Sequence, residues 1–218
     1  MPRLVVIRPA ETDYHLEGRL LGRCDVDLND TGRNQAEDLI DRLSQWDFAS
    51  VAVSPLKRAI ATAMPICEDR DIILHPVAGF NAEDLGDWEG QERRIVAQGD
   101  GSRYQQWLTD PDFRAPGGEC MREIYGRAYS DLAHIVQQSE IGQTLGFVLP
   151  LALIRVFCCA ALDLSIESSC RFDIGPAGFA VFERMYPRGP YQLIGWNQPA
   201  TLDQEVRQQY FEEELPNV

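Results

Sequence analysis

Short apolar runs alternate with helix-like segments along this chain, and that alternation restricts it to an α/β architecture. Leu4–Ile7 is a compact aliphatic run and predicts a buried strand. Asn29 or Thr31 can cap a helix from about Gly32 to Trp46, with Ala36, Leu39, Ile40 and Leu43 on one face. Val51–Ser54 predicts a second strand, after which Pro55 opens a helix running to about Cys67. Ile72–Leu74 predicts a further strand. Glu119 to about Gln138 reads as a long helix, with Ile124, Ala128, Leu132 and Ile135 at core spacing. Thr144–Leu149 reads as a strand and Leu151–Leu162 as a helix, and Gly178–Met185 and Tyr191–Trp196 complete the sheet. Residues from about 80 to 118 are richer in Gly and Pro and predict an irregular insertion with one or two short helices. The stretch from about 202 to 218 is an acidic tail carrying Tyr210, Phe211 and Leu215. Neither a repeat nor a linker is visible, so residues 1–218 predict a single domain.

Bulk properties narrow the function. The 218 residues are enough to bury a substantial core. A formal net charge of -14 disfavours nucleic-acid and anionic-membrane binding, and steers phosphorylated ligands away unless a basic pocket exists. The longest apolar stretch, Phe147 to Leu164, is broken by Pro150, Arg155 and Asp163, so it predicts a strand and a buried helix instead of a membrane span. The six cysteines (Cys24, Cys67, Cys120, Cys158, Cys159, Cys170) show no metal-type spacing and predict free thiols in a reducing cytoplasm. No metal and no cofactor is expected.

Several motifs stand in a fixed order. Arg8-Pro9-Ala10-Glu11-Thr12 follows the first strand. Gly18-Arg19, Gly22, Asp25, Leu28 and Thr31-Gly32 come next. Ser54-Pro55-Leu56-Lys57-Arg58-Ala59 precedes Thr62-Ala63, and Gly86-Asp87-Trp88-Glu89-Gly90, Pro116-Gly117-Gly118-Glu119 and Ile154-Arg155 complete the set. In spacing and order this set resembles the histidine phosphatase superfamily, which includes the phosphoglycerate mutases. The resemblance implies a three-layer α/β/α fold with a mainly parallel sheet. It also implies phosphoryl chemistry by a nucleophilic histidine, a second histidine, two arginines and a carboxylic acid.

Mapped through that resemblance, only the arginines remain, as Arg8 and Arg58. Pro9 occupies the nucleophile position and Pro150 that of the second histidine, with Leu151-Ala152 in place of two glycines. Ala82 falls on the acid, with Glu83 one place on, and His15 falls where the family carries asparagine. A proline offers neither a nucleophile nor a proton. The expectation is therefore no catalytic residue, and a pseudoenzyme serving as a binding, scaffold or regulatory subunit with a protein partner or as a homodimer. A second reading keeps Arg8 and Arg58, with His15 and Glu83, as binders of phosphate or a phosphorylated small molecule. A third makes the chain a divergent phosphomonoester phosphatase using His15 and Glu83. The plainest alternative pairs Arg8 and Arg58 with Glu11, Glu83 or another carboxylate in a structural salt bridge.

Overall fold

The computed structural model describes residues 2–184 and 189–197. Six strands form one sheet: β1 (Arg3–Ile7), β2 (Phe48–Val53), β3 (Leu74–Pro76), β4 (Thr144–Val148), β5 (Phe179–Arg184) and β6 (Tyr191–Asn197). Their spatial order is β3-β2-β4-β1-β5-β6. The pairs β2–β3, β2–β4 and β1–β4 are parallel, whereas β5 runs antiparallel to both β1 and β6. The sheet is thus mainly parallel, as expected.

The aliphatic run of β1 has no polar alternation because both of its faces are covered. Leu4 and Val6 enter a core shared with helices α6 (Met121–Gln138) and α7 (Leu151–Ala161). Val5 and Ile7 enter a second core with α2 (Asp30–Arg42) and α3 (Lys57–Asp69). Helices therefore pack on both sheet faces. A third, smaller core of Leu85, Trp88, Val96, Tyr104 and Ala115, joined by Leu20 from outside, lies in the predicted insertion, which carries α4 (Arg93–Gly99) and α5 (Gly101–Thr109). Trp88, Tyr104 and Trp107 meet there in tilted and edge-on pairs with ring centroids 5.7–6.1 Å apart.

Boundaries differ from the sequence expectations for local reasons. Asn29, not Thr31, caps α2, its side chain accepting the Gly32 N–H at 2.8 Å. That helix stops at Arg42, and Trp46 turns back to meet Phe179 edge-on at 5.6 Å. The edge strand β3 starts at Leu74 because α3 ends in a wrapped turn. Asp71 adopts φ 53° and Ile72 N–H reaches the Cys67 carbonyl at 2.9 Å. The four-residue α1 (Asp13–Leu16) and the 3-10 turn Ile166–Arg171 had no counterpart in the sequence reading. Met185 and the acidic tail lie outside the described residues.

Helix α7 ends as α3 does, with Asp163 at φ 55° and Leu164 N–H on the Cys159 carbonyl at 2.8 Å. Both positions are exposed and left-handed, where glycine is the favoured residue. Asp71→Gly and Asp163→Gly should each stabilise the fold by about 0.5–1 kcal/mol, additively, in chemical denaturation. Destabilisation by either would contradict this account of the helix ends.

Candidate anion site at the sheet's C-terminal edge

The ends of β1, β2 and β4 converge. Leu149 N–H bonds the Ile7 carbonyl at 2.9 Å, and Ser54 N–H bonds the Val148 carbonyl at 3.0 Å. Pro9 and Pro150 therefore each stand two residues beyond a directly paired position, Ile7 opposite Val148. Pro9 is buried, and its carbonyl accepts the Ala177 N–H at 3.4 Å. Pro150 caps α7, and its carbonyl accepts the Ile154 N–H at 3.0 Å. Proline suits such a place, since no ladder N–H is required there. Among the described residues every peptide bond is trans.

The loop after β1 is tied down along its length. Ala10 N–H donates to Thr62 Oγ1 at 2.9 Å, and that hydroxyl donates to the Arg58 carbonyl at 2.6 Å. Glu11 takes Asn29 Nδ2 at 3.0 Å on its carboxylate, and its N–H donates to Gln35 Oε1 at 3.0 Å. Gly32 is required here, because a Cβ would sit 2.1 Å from the Glu11 carbonyl oxygen. Glu11 thus serves the loop.

Arg58 is 3% exposed, so its charge needs internal partners. They are carbonyls: Nη1 donates to Cys24 O and Nη2 to Gly22 O, both at 2.7 Å. No carboxylate pairs with it among the described residues, which removes the structural salt bridge as its explanation. The loop presenting those carbonyls is itself held by Glu89. One oxygen of Glu89 accepts the N–H of Arg23 at 2.6 Å and of Leu85 at 3.2 Å, and the other accepts that of Cys24 at 3.2 Å. Gly22 leaves room for this carboxylate, since a Cβ would come within 2.2 Å of Oε1. Burial draws the Arg58 pKa down to about 10, partly offset by Asp25 and Glu89, and the group stays cationic at neutral pH.

Arg8 is partly buried, donates from Nη1 to the Ile174 carbonyl, and brings Nη2 within 3.3 Å of His15 Nε2. His15 lies on α1, and its Nδ1 accepts the Thr12 N–H at 3.1 Å. Burial, then the charges of Arg8, Arg58 and Arg93, hold His15 well below its usual pKa, so the ring is neutral at pH 7. Arg93 was missed by sequence reasoning. It opens α4, and its N–H donates to the Gly18 carbonyl at 2.9 Å, which docks the helix start beside α1. A sequence signal existed, namely a pair of arginines, Arg93-Arg94, separated by two residues from the Gly-x-Trp-Glu-Gly turn of an acidic chain.

The structure brings Arg8, Arg58 and His15 together, and Glu83 faces elsewhere. Its carboxylate accepts Trp107 Nε1 at 2.7 Å and lines a cavity of about 30 Å³ with Arg155, room for one water. The groups acting on it are Trp107, Arg155, Glu119 and Glu89, none of them shared with those acting on His15. Burial raises its pKa to about 7. Ala82 is buried, and its carbonyl accepts Arg127 Nη2 at 2.9 Å. No group of three or more metal-ligating side chains occurs among the described residues. No helix there is long and apolar enough to cross a membrane.

Residues 4–198 match the family model of the histidine phosphatase superfamily, branch 1. The chain belongs to that superfamily. Among its relatives, phosphoserine phosphatase 1 of Hydrogenobacter thermophilus is 28% identical over 182 residues, 83% of this chain and 86% of that protein. The adenosylcobalamin/alpha-ribazole phosphatase of Salmonella typhimurium is 29% identical over 204 residues, 87% of this chain and 98% of that protein. In fold, a mycobacterial glucosyl-3-phosphoglycerate phosphatase in complex with VO3 superposes with a TM-score of 0.85 at 24% identity, covering 91% of this chain and all of that one.

Glu83 makes stability depend on pH. A carboxyl raised to about 7 keeps its proton in the folded chain while the unfolded chain has lost it, so its contribution is full below pH 4.5 and vanishes as pH rises to 7. Glu83→Gln keeps an acceptor for Trp107 and removes the titration. The variant should therefore lose less melting temperature than the natural chain between pH 5 and pH 8. Equal losses would contradict the burial argument.

Proposed function

We propose that this chain is a phosphate-binding member of the histidine phosphatase superfamily in which the phosphohistidine route is closed. The observation that carries this reading is the pairing of an intact arginine cluster with two strand ends, Pro9 and Pro150, that offer no nucleophile. Arg58 is held as a buried cation and Arg8 lies beside a neutral His15, an arrangement suited to an oxyanion. The ligand class is a phosphorylated small molecule or phosphate, in keeping with relatives named as phosphatases. The biological output is binding, as a scaffold or regulatory subunit with a protein partner or as a homodimer. The whole chain acts as one domain. Its six free thiols suit a reducing cytoplasm.

A second reading, a divergent phosphatase, draws on those same relatives and on the Glu83 pKa of about 7, suitable for a general acid. Against it stands the distribution of groups. The imidazole is surrounded by Arg8, Arg58 and Arg93, while the Glu83 carboxyl is turned to Trp107.

Turnover on a broad phosphomonoester panel separates the two. The natural protein should release no phosphate and take up no label from a phosphorylated donor, whereas Pro9→His combined with Pro150→His should take up label. Turnover that survives repurification and disappears in His15→Ala would establish the divergent phosphatase instead.

A further inference from the structure

Glu83 and Arg155 share a cavity that Arg8, Arg58 and His15 do not line. Trp107 and Leu108 reach it from α5, Arg155 from α7, and Ser169 and Cys170 from the 3-10 turn Ile166–Arg171. Glu83 is 7% exposed, and its Oε1 accepts Trp107 Nε1 at 2.7 Å. Among the described residues no hydrogen bond reaches its Oε2, and a buried carboxyl oxygen without a partner is costly. Arg155 donates from Nε to the Phe172 carbonyl at 2.9 Å and holds Nη2 3.8 Å from Asp173. A guanidinium has five N–H donors, so these contacts leave several for a further partner. Buried Ser169 adds a hydroxyl to the lining. Burial raises the Glu83 pKa to about 7 with help from Glu119 and Glu89, while Trp107 and Arg155 oppose the rise. Asp110 and Cys170 are the other titratable groups on the cavity wall. Since Oε1 accepts the indole N–H, a proton on this carboxyl sits on Oε2 and can be donated.

Donors around an enclosed space call for an acceptor. The volume, about 30 Å³, admits one oxygen-sized group. A carboxylate meets that limit by setting one oxygen inside and leaving the other on Arg155, whose side chain is 26% exposed. Guanidinium favours such two-point contact. Leu108, Pro111, Phe113 and Met121 supply apolar lining for a short aliphatic body. We propose that Glu83 and Arg155 form a second ligand site, which takes the carboxylate head of a small monocarboxylate between the Glu83 carboxyl and the Arg155 guanidinium. The site is independent of the arginine cluster and of phosphate. Binding is coupled to a proton, because an ionised Glu83 would set two carboxylates against each other. By reciprocity the ligand raises the pH at which Glu83 titrates.

The probe is sodium acetate, titrated into the full chain at constant ionic strength with sodium chloride as the balance. The readout is the Trp107 indole N–H in 1H–15N spectra, assigned with Trp107→Phe. At pH 6 acetate should shift that resonance saturably. At pH 8 binding should weaken about tenfold, following the protonated fraction of a carboxyl that titrates at about 7. Glu83→Gln keeps a neutral N–H donor, so it should bind within about threefold of the natural protein at pH 6 and equally well at pH 8. Arg155→Gln should weaken binding about tenfold or more, and Arg155→Lys, which keeps the charge and loses the fork, should weaken it less. The same spectra report whether each variant is folded. Inorganic phosphate at equal ionic strength should leave the resonance in place. No shift with acetate at pH 6 overturns the proposal and assigns the cavity to water alone. Equal binding by the natural protein at pH 6 and pH 8, unchanged affinity in both Arg155 variants, or an equal response to phosphate overturns it as well. None of these results bears on phosphate binding through Arg58, so the anion-site reading stands or falls separately.

Discussion

A buried guanidinium, held by backbone carbonyls and unpaired with any carboxylate among the described residues, organises this end of the molecule. Arg58 stays charged because Gly22 and Cys24 turn their carbonyls to it at 2.7 Å, and those carbonyls are aimed because Glu89 gathers three backbone N–H groups beneath them. Each link limits the next. A side chain at residue 22 would displace Glu89, and losing Glu89 would take the acceptor from three backbone N–H groups, that of buried Leu85 among them. The Gly-x-Trp-Glu-Gly turn thus supports the arginine through the loop that presents those carbonyls.

The same constraint shapes the electrostatics. The chain as a whole carries -14, yet burial and then three arginines depress the pKa of His15. A local positive field inside a negative molecule favours a small anion over an extended polyanion such as nucleic acid. Burial first, and then like charge, leave His15 neutral at pH 7. Pro9 and Pro150, just beyond the ends of β1 and β4, fit the backbone there and carry no nucleophilic side chain.

Much of the fold was legible because uninterrupted apolar runs, such as Leu4–Ile7 and Thr144–Val148, are what doubly covered parallel strands require. The arginines Arg8 and Arg58 were legible through their motifs. Features set by tertiary contact were not. The helix bearing His15 has only four residues, too few for a periodic signal, and owes its place to Thr12 and to the strand end before it. Arg93 reaches the site only because α4 docks on Gly18. Glu83, which the family resemblance puts one residue from the acid, has its carboxylate turned to Trp107, a tertiary contact with no signal in the sequence. The partner of Arg58 was also hidden, since backbone carbonyls carry no side-chain signature.

The most direct test of the account is a phosphorus NMR time course of the purified protein with a phosphomonoester at pH 7. The account predicts that the ester resonance broadens or shifts in proportion to protein, that this effect vanishes in Arg58→Ala, and that no inorganic phosphate resonance grows. A growing inorganic phosphate signal, lost in His15→Ala, would contradict it and show that this scaffold has rebuilt a working centre around its prolines.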